Sequence, residues 1–400
     1  MTPLAITGLG VVSPLGIGHA GFAEALDDVP AAQRRAFEHH PSVLDPAKVP
    51  RARAAEVRDF EATKYLGDKG LRNFDRLTKM LIVAGKHALE DAGVKKDGKF
   101  VAHRPDRVGI CSSTAYGSLD AITELNLVAE LEDPRYINPA RFPNTVINAA
   151  AGYVSIWEDL RAPNVTVVDG NCGALDAVLT CDTHLAHGRG DVFLVGGGEV
   201  LSEPLYLAFR KLGIVAEGDE VRGAHLGEGA AYLCVERLDD ANARGATVRG
   251  LLAGYGTAFE PPLSPAVLVH TSADSVRRAV AAALADAGLS REAVDVVCCA
   301  ASGIDVVDAE ESAGLAAALG LDVAVVAPKF VYGETFGAGG ALGMATALAW
   351  LEGTRPAPLI SGRLPDVVRT VVVTTVGFYG NCTAVVMRSP HLDAKKSIAS

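Results

Sequence analysis

One stretch of the chain places a carboxamide and a thiol at a sharp turn between a strand and a helix. A β-branched apolar run begins at residue 165, the chain turns at Asp169 and Gly170, and apolar residues then recur at helical spacing. Asn171 and Cys172 stand at the start of that helix. Its first N–H groups and its dipole favour an anion, so a thiol there would be acidified and an oxyanion stabilised. The chemistry of this elbow (residues 169–172) therefore depends on which of the two side chains occupies it.

Strand and helix patterns surround the elbow and alternate twice along the chain. The predicted strands lie at 4–16 (running into a glycine-rich loop), 108–113, 192–198, 226–235, 248–254, 294–300, 323–326, 370–375 and 384–387, and the main predicted helices at 77–92, 273–287 and 309–319. Residues 239–245 predict a linker, so we place two similar halves at 1–240 and 241–400. Helix-covered sheets in both halves predict an α/β protein whose halves stack as five layers, α-β-α-β-α.

Composition narrows the class of protein. The chain has 400 residues, 49% of them apolar, and a net charge of −11, which argues against a nucleic-acid partner. Its seven cysteines lack Cys-x-x-Cys spacing, which favours reduced thiols in the cytoplasm. Without an 18-residue apolar run or a basic leader, we expect neither a membrane span nor a signal peptide. Residues 28–62, with four prolines among mixed charges, predict an exposed surface segment.

Two weak cofactor signals are present. Gly8 and Gly10 lack a third glycine at the spacing of a dinucleotide-binding loop. His184 and His187 are three residues apart, but no third metal ligand is near them in sequence. We therefore expect no cofactor and no metal.

Motifs along nearly the whole chain resemble the β-ketoacyl synthase family of the thiolase fold. They lie at residues 6–16, 71–76, 227–231, 243–245 and 328–329, at the Gly-Ala-Gly-Gly of 337–340 and at the Gly-Phe-Tyr-Gly loop of 377–380, which contains Phe378. The resemblance implies two stacked halves and a Claisen condensation of an acyl thioester with a malonyl carrier protein. Active members use an elbow Cys and two His residues for this reaction.

The first two catalytic positions of the family are located by the acidic residues that accompany them. Counting back five residues from Asp176 gives Asn171 at the nucleophile position, with Cys172 one step late. Counting back eight from Asp308, with Glu311 as the second acidic residue, gives Ala300 at the first His position.

The third position follows a Lys-x-x-x-Gly pattern, which Lys329 and Gly333 match, so Glu334 replaces the second His. The anion of Glu334 would oppose a developing enolate, and Ala300 has no hydrogen-bond donor for it. The carboxamide of Asn171 cannot form an acyl-enzyme. An ion pair with Lys329 is a structural alternative for Glu334.

The elbow Asn-Cys-Gly-Ala-Leu-Asp also resembles that of chain-length factors, the inactive β subunits of type II polyketide synthases. These usually carry Gln at the nucleophile position, so Asn171 departs from the pattern while remaining an amide. Asn171 is equally explained as a turn residue. Cys172 is either a shifted nucleophile or a small buried apolar residue.

By the same resemblance, the segment 116–125 crosses the dimer interface and lines the acyl tunnel. Ser118, Ala121 and Leu125 occupy the tunnel positions, and the first two are small, which would leave volume for a long chain. Ordinary helix packing is the alternative.

We therefore predict a noncatalytic chain-length factor that pairs with a catalytic ketosynthase paralogue as a heterodimer. It would shape the acyl tunnel for an aromatic or polyene product carried by an acyl carrier protein. The alternatives are an active synthase using Cys172 and a stand-alone acyl-binding scaffold homodimer.

Overall fold

The computed structural model describes residues 1–390 except 219 and 221. Its strands are Leu4–Ser13, Gly16–Ile17, Ala54–Ala55, Lys95–Lys96, Lys99–Phe100, Val108–Ser113, Asn164–Val167, Val192–Glu199, Leu226–Gly227, Gly229–Arg237, Gly250–Phe259, Val296–Cys298, Ala324–Val326, Leu359–Ser361, Thr370–Val376 and Asn381–Arg388. Its α-helices are His19–Asp27, Val29–Phe37, Thr63–Leu66, Arg76–Asp91, Leu119–Leu127, Ala149–Glu158, Gly173–Ala186, Glu203–Lys211, Leu238–Ala243, Ala273–Asp286, Asp305–Leu319, Lys329–Tyr332 and Gly339–Leu351.

Twelve of the described strands form one mixed sheet, five of them on the path from the first half and six from the second. The halves meet where residues 4–6 pair antiparallel with residues 250–252. The strand Asn164–Val167 forms the outer edge of the first half and pairs only with Val108–Ser113 in the described sheet.

Helices cover both halves of the sheet and also separate them. Arg76–Asp91 packs on the outer face of the first half, and Ala273–Asp286 with Asp305–Leu319 on that of the second. Gly173–Ala186 and Gly339–Leu351 lie between the halves, in a core built from both. Twelve of the thirteen residues of Gly339–Leu351 are buried, as expected for a helix enclosed on all sides. The five-layer thiolase-like fold predicted from the sequence is confirmed.

Paired glycines explain how closely the outer helices approach the sheet. A Cβ atom at Gly8 or Gly10 would overlap backbone atoms of the helix Arg76–Asp91. Gly254 and Gly256 make the same approach to the helix Ala273–Asp286 in the second half. The glycines near the amino terminus therefore serve helix–strand packing, and they do so in both halves.

The structure modifies two local expectations. Residues 28–62 include the helix Val29–Phe37 and buried apolar side chains such as Leu44 and Val49, so this segment is only partly a surface loop. The predicted linker at 239–245 is largely the short helix Leu238–Ala243, whose Ala241 is buried. In residues 28–62, burial of apolar side chains outweighs the local signals from proline and charge.

Candidate functional site at the elbow

The elbow is a strand–turn–helix junction, as the sequence predicts. Asn164–Val167 leads to Gly170, whose φ of +53° suits glycine, and a 3₁₀ turn at Gly170–Cys172 enters the helix Gly173–Ala186. A Cβ atom at Gly173 would clash with Ser113 Oγ on the neighbouring strand. Small residues on both sides of the turn therefore fix where the helix begins.

Asn171 and Cys172 both lie inside the protein. Asn171 is 3% exposed, and its Nδ2 donates to Val376 O at 3.1 Å. Cys172 is fully buried, with its Sγ 3.5 Å from Thr375 O. Burial, aided by the charge of Asp176, raises the pKa of the Cys172 thiol to about 12. The expected acidification at a helix N-terminus is wrong for this thiol, because desolvation of the thiolate outweighs the dipole.

Ala300 is held by a buried carboxyl group. Its N–H donates to Glu311 Oε1 at 2.9 Å, and Thr374 Oγ1 donates to the same oxygen at 2.6 Å. Burial raises the pKa of Glu311 to about 7, and its Oε2 has no partner among the described residues. Asp308 accepts from the Gly303 N–H at 2.7 Å, so the acidic residues that located Ala300 organise its loop.

Glu334 is paired with Lys329, as the sequence suggested. Lys329 Nζ lies 2.9 and 2.8 Å from Oε1 and Oε2 of Glu334, and the Phe336 N–H donates to Oε1 at 2.9 Å. Lys329 is 4% and Glu334 2% exposed. The carboxylate is thus engaged by an internal cation and an internal N–H group, and it presents no donor to a substrate oxygen.

Four aromatic side chains, which we call the aromatic cluster, fill the space beside these residues. It consists of Tyr116, Phe209, Phe336 and Phe378, with ring centroids 4.7 Å apart for Phe209 and Phe336 and 5.4 Å apart for Tyr116 and Phe336. Phe378 lies 5.9 Å from Phe209 and 6.4 Å from Phe336. Phe336 is two residues beyond Glu334. The cluster is therefore continuous with the segment that contains Glu334.

A buried carboxyl group fixes two of the cluster's segments. Glu199, at the end of a central strand, accepts from the N–H groups of Ala115 at 2.7 Å, Tyr116 at 3.2 Å and Gly337 at 3.3 Å. Burial raises the pKa of Glu199 to about 7. Phe378 and Tyr116 lie in segments singled out from the sequence, whereas Phe209, Phe336 and Glu199 were not predicted, because their proximity depends on the tertiary fold.

The tunnel positions lie on the helix Leu119–Leu127 and the residue before it. Ala121 is 3% and Leu125 8% exposed, and Ser118 Oγ donates to an oxygen of Asp75. Ser118 and Ala121 line a cleft of about 520 Å³ whose other walls include charged side chains, namely Arg72, Asp75, Arg76, Lys79, Asp120 and Arg141. The cleft is polar in the single chain, and the tunnel role of the three residues stays a prediction.

Two kinds of feature are absent from the described residues. No group of three or more His, Cys, Asp or Glu side chains that could hold a metal ion occurs in the part of the chain that the structure describes. Within the same residues, no helix has both the length and the apolar character needed to cross a bilayer.

The chain is similar to known proteins over most of its length. Residues 1–241 match the model of the beta-ketoacyl synthase N-terminal domain and residues 251–362 that of the C-terminal domain. The 3-oxoacyl-[acyl-carrier-protein] synthase 2 of Coxiella burnetii is 30% identical, over 90% of this chain and 88% of the relative. The tetracenomycin polyketide synthase ketoacyl synthase beta subunit of Streptomyces glaucescens is 29% identical, over 86% and 85%.

Solved structures agree on the fold. The ishigamide ketosynthase/chain length factor superposes with a TM-score of 0.84 at 24% identity, covering 97% of this chain and 99% of the other. A beta-ketoacyl synthase from Burkholderia phymatum gives 0.81, also at 24% identity, covering 97% and 100%. With both domain models matched and the elbow in place between the two halves, the chain belongs to the β-ketoacyl synthase family.

Proposed function

We propose that this chain is a noncatalytic chain-length factor, the β subunit of a type II polyketide ketosynthase. The observation that carries the proposal is the Lys329–Glu334 pair at the position of the family's second His. Asn171 replaces the nucleophilic Cys, and Ala300 replaces the first His, which is the other donor to the enolate. A site without a nucleophile and without donors for the enolate cannot carry out the condensation by the family's chemistry.

The aromatic cluster and Cys172 support the same proposal. The rings occupy volume beside the elbow that an acyl group would need. Cys172 is turned into the core, and with a pKa of about 12 its thiolate fraction at neutral pH is on the order of 10⁻⁵. An active synthase that uses Cys172 is therefore the weaker alternative, although the similarity to a 3-oxoacyl-[acyl-carrier-protein] synthase 2 is what recommends it.

Exposed apolar side chains around the edge strand Asn164–Val167 support a subunit partner. Ile156 is 75%, Val168 50% and Leu179 44% exposed. An unpaired strand edge beside exposed apolar residues is suited to association with another chain. Similar solved structures include a ketosynthase in complex with its chain length factor from Xenorhabdus doucetiae and a type II acyl-carrier protein in complex with its ketosynthase. We infer that a catalytic ketosynthase paralogue and an acyl carrier protein are the partners, with the aromatic or polyene chain held on the carrier.

Reconstitution tests the proposal. The chain is co-expressed with a family member encoded beside it that has an intact Cys and two His residues, and the complex is assayed with malonyl carrier protein. We expect a one-to-one complex whose condensation is lost when the partner's nucleophilic Cys is replaced by Ala and retained when Cys172→Ala is introduced here. Loss of condensation in a folded Cys172→Ala complex would show that this chain is catalytic. A stable homodimer that ignores the synthase would favour the scaffold alternative.

A further inference from the structure

A basic surface pocket lies behind the degenerate site, on the other side of the segment that contains Glu334. It has a volume of about 570 Å³ and is lined by Arg34, Arg35, Phe37, Arg53 and His225 among others. The His225 carbonyl accepts from the Glu334 N–H at 2.8 Å, so the pocket and the paired carboxylate share one backbone connection.

The two arginines of the helix Val29–Phe37 lack partners of their own. Both Arg34 and Arg35 are exposed, and neither has a hydrogen-bond or ion-pair partner among the described residues. Exposed arginines elsewhere are mostly paired, as Arg277 is with Asp274 at 2.6 Å and Arg135 with Asp133 at 2.5 Å. Two adjacent unpaired guanidinium groups in a chain of net charge −11 form a local positive field that attracts an anion.

His225 forms part of the pocket wall. Its ring lies 5.1 Å from that of Phe37 and makes a hydrogen bond to the backbone of Arg53, while its Nδ1 is buried without a partner among the described residues. Gln33 Nε2 donates to Phe330 O at 2.9 Å and fixes the helix against the segment that precedes Glu334.

We propose that this pocket binds a phosphate group. A phosphate accepts bidentate hydrogen bonds from guanidinium groups. Arg34 and Arg35 supply the charge, and Phe37 and His225 form the wall beside the carbon part of the ligand. Glu38 also lines the pocket and opposes the anion. The proposal goes beyond the chain-length function and does not depend on it.

Calorimetric titration tests the site on the full chain, in complex with its synthase if the two copurify. Inorganic pyrophosphate is the first probe, and we expect one saturable site per chain. Arg34→Gln with Arg35→Gln should weaken binding about tenfold or more, because each substitution removes a charged hydrogen-bond donor to the phosphate. Arg277→Gln, the matched control on an exposed helix, should leave affinity unchanged. Glu38→Gln should tighten binding, a change that loss of folding cannot imitate.

Two further probes identify the source of the phosphate. Tighter binding of pantetheine 4′-phosphate than of adenosine monophosphate would indicate a carrier-protein arm, and the reverse order a free nucleotide. The absence of a saturable site would overturn the proposal. So would an equal loss of affinity in Arg277→Gln, because binding would then reflect surface charge in general.

Discussion

Lys329 donates to both carboxylate oxygens of Glu334, and the two side chains are almost completely buried. Taking two charges out of water is costly, and their attraction compensates only while both partners remain. The pair therefore fixes the segment from Lys329 to Glu334. Under the proposed function, it replaces a catalytic imidazole with a rigid structural contact.

Glu334→Gln should destabilise the chain by about 3–5 kcal/mol, because it leaves a buried ammonium group without its counterion. Lys329→Met combined with Glu334→Leu should cost much less, since no unpaired charge remains. Urea unfolding of both variants measures the difference. A Glu334→Gln variant as stable as the parent chain would contradict the importance of the pair.

Glu311 should make stability fall as pH rises. Its pKa is raised from 4.5 to about 7 in the folded chain, so between these values the unfolded state loses a proton that the folded state keeps. Stability is full below about pH 4.5, decreases toward pH 7 by roughly 3 kcal/mol at most, and is level above it.

Glu311→Gln removes this titration and can keep the acceptor for Ala300 N–H and Thr374 Oγ1. The variant should match the parent near pH 4.5 and exceed it at pH 8. The test is to measure the unfolding midpoints of both proteins between pH 4.5 and pH 8. Parallel pH profiles for the two proteins would show that Glu311 is ionised alike in both states.

Cys172 should resist alkylation in the folded protein. Its burial and its pKa of about 12 leave almost no thiolate at pH 7. Native protein treated with cerulenin or iodoacetamide and mapped by mass spectrometry should show no adduct at this residue, and unfolding in urea should expose it. Stoichiometric native modification that disappears in Cys172→Ala would contradict this.

Local patterns were sufficient where a residue's environment depends on its neighbours in sequence. The strand Val108–Ser113 was predicted at its observed bounds, and the spacing of Lys329 and Glu334 was enough to suggest their ion pair. Burial was one of the two alternatives for Cys172, but choosing between them needed the tertiary fold, as did the meeting of Phe209 with Phe336. Both depend on how the strand Thr370–Val376 and distant loops pack around the elbow.

Phe209→Ala should open space in the aromatic cluster. Phe209 is 5% exposed and contacts the other three rings, so its removal should cost about 3–5 kcal/mol and leave an apolar cavity. The variant should gain binding of a short acyl-pantetheine, measured by calorimetry, while Phe259→Ala, at an exposed ring, should not. If a folded Phe209→Ala chain does not bind the acyl-pantetheine, the aromatic cluster does not fill a pocket that could hold an acyl group.

Ala121→Phe should shorten the product of the reconstituted complex. If Ala121 faces the tunnel once the partner is bound, a ring there occupies volume that later carbons need, and overpacking an apolar channel costs roughly 1–3 kcal/mol. Under the proposed function the chemistry lies on the partner, so early condensations should proceed at a near-normal rate. Ser118→Phe is expected to shorten the product as well. It also removes the hydrogen bond to Asp75, whose side chain caps the helix Arg76–Asp91, so Ala121→Phe is the cleaner test.

Asn126→Phe, at an exposed position of the helix Leu119–Leu127, is the control for adding a ring. Mass analysis of carrier-bound chains measures the length. An unchanged length from an intact Ala121→Phe complex would show that this helix does not set it.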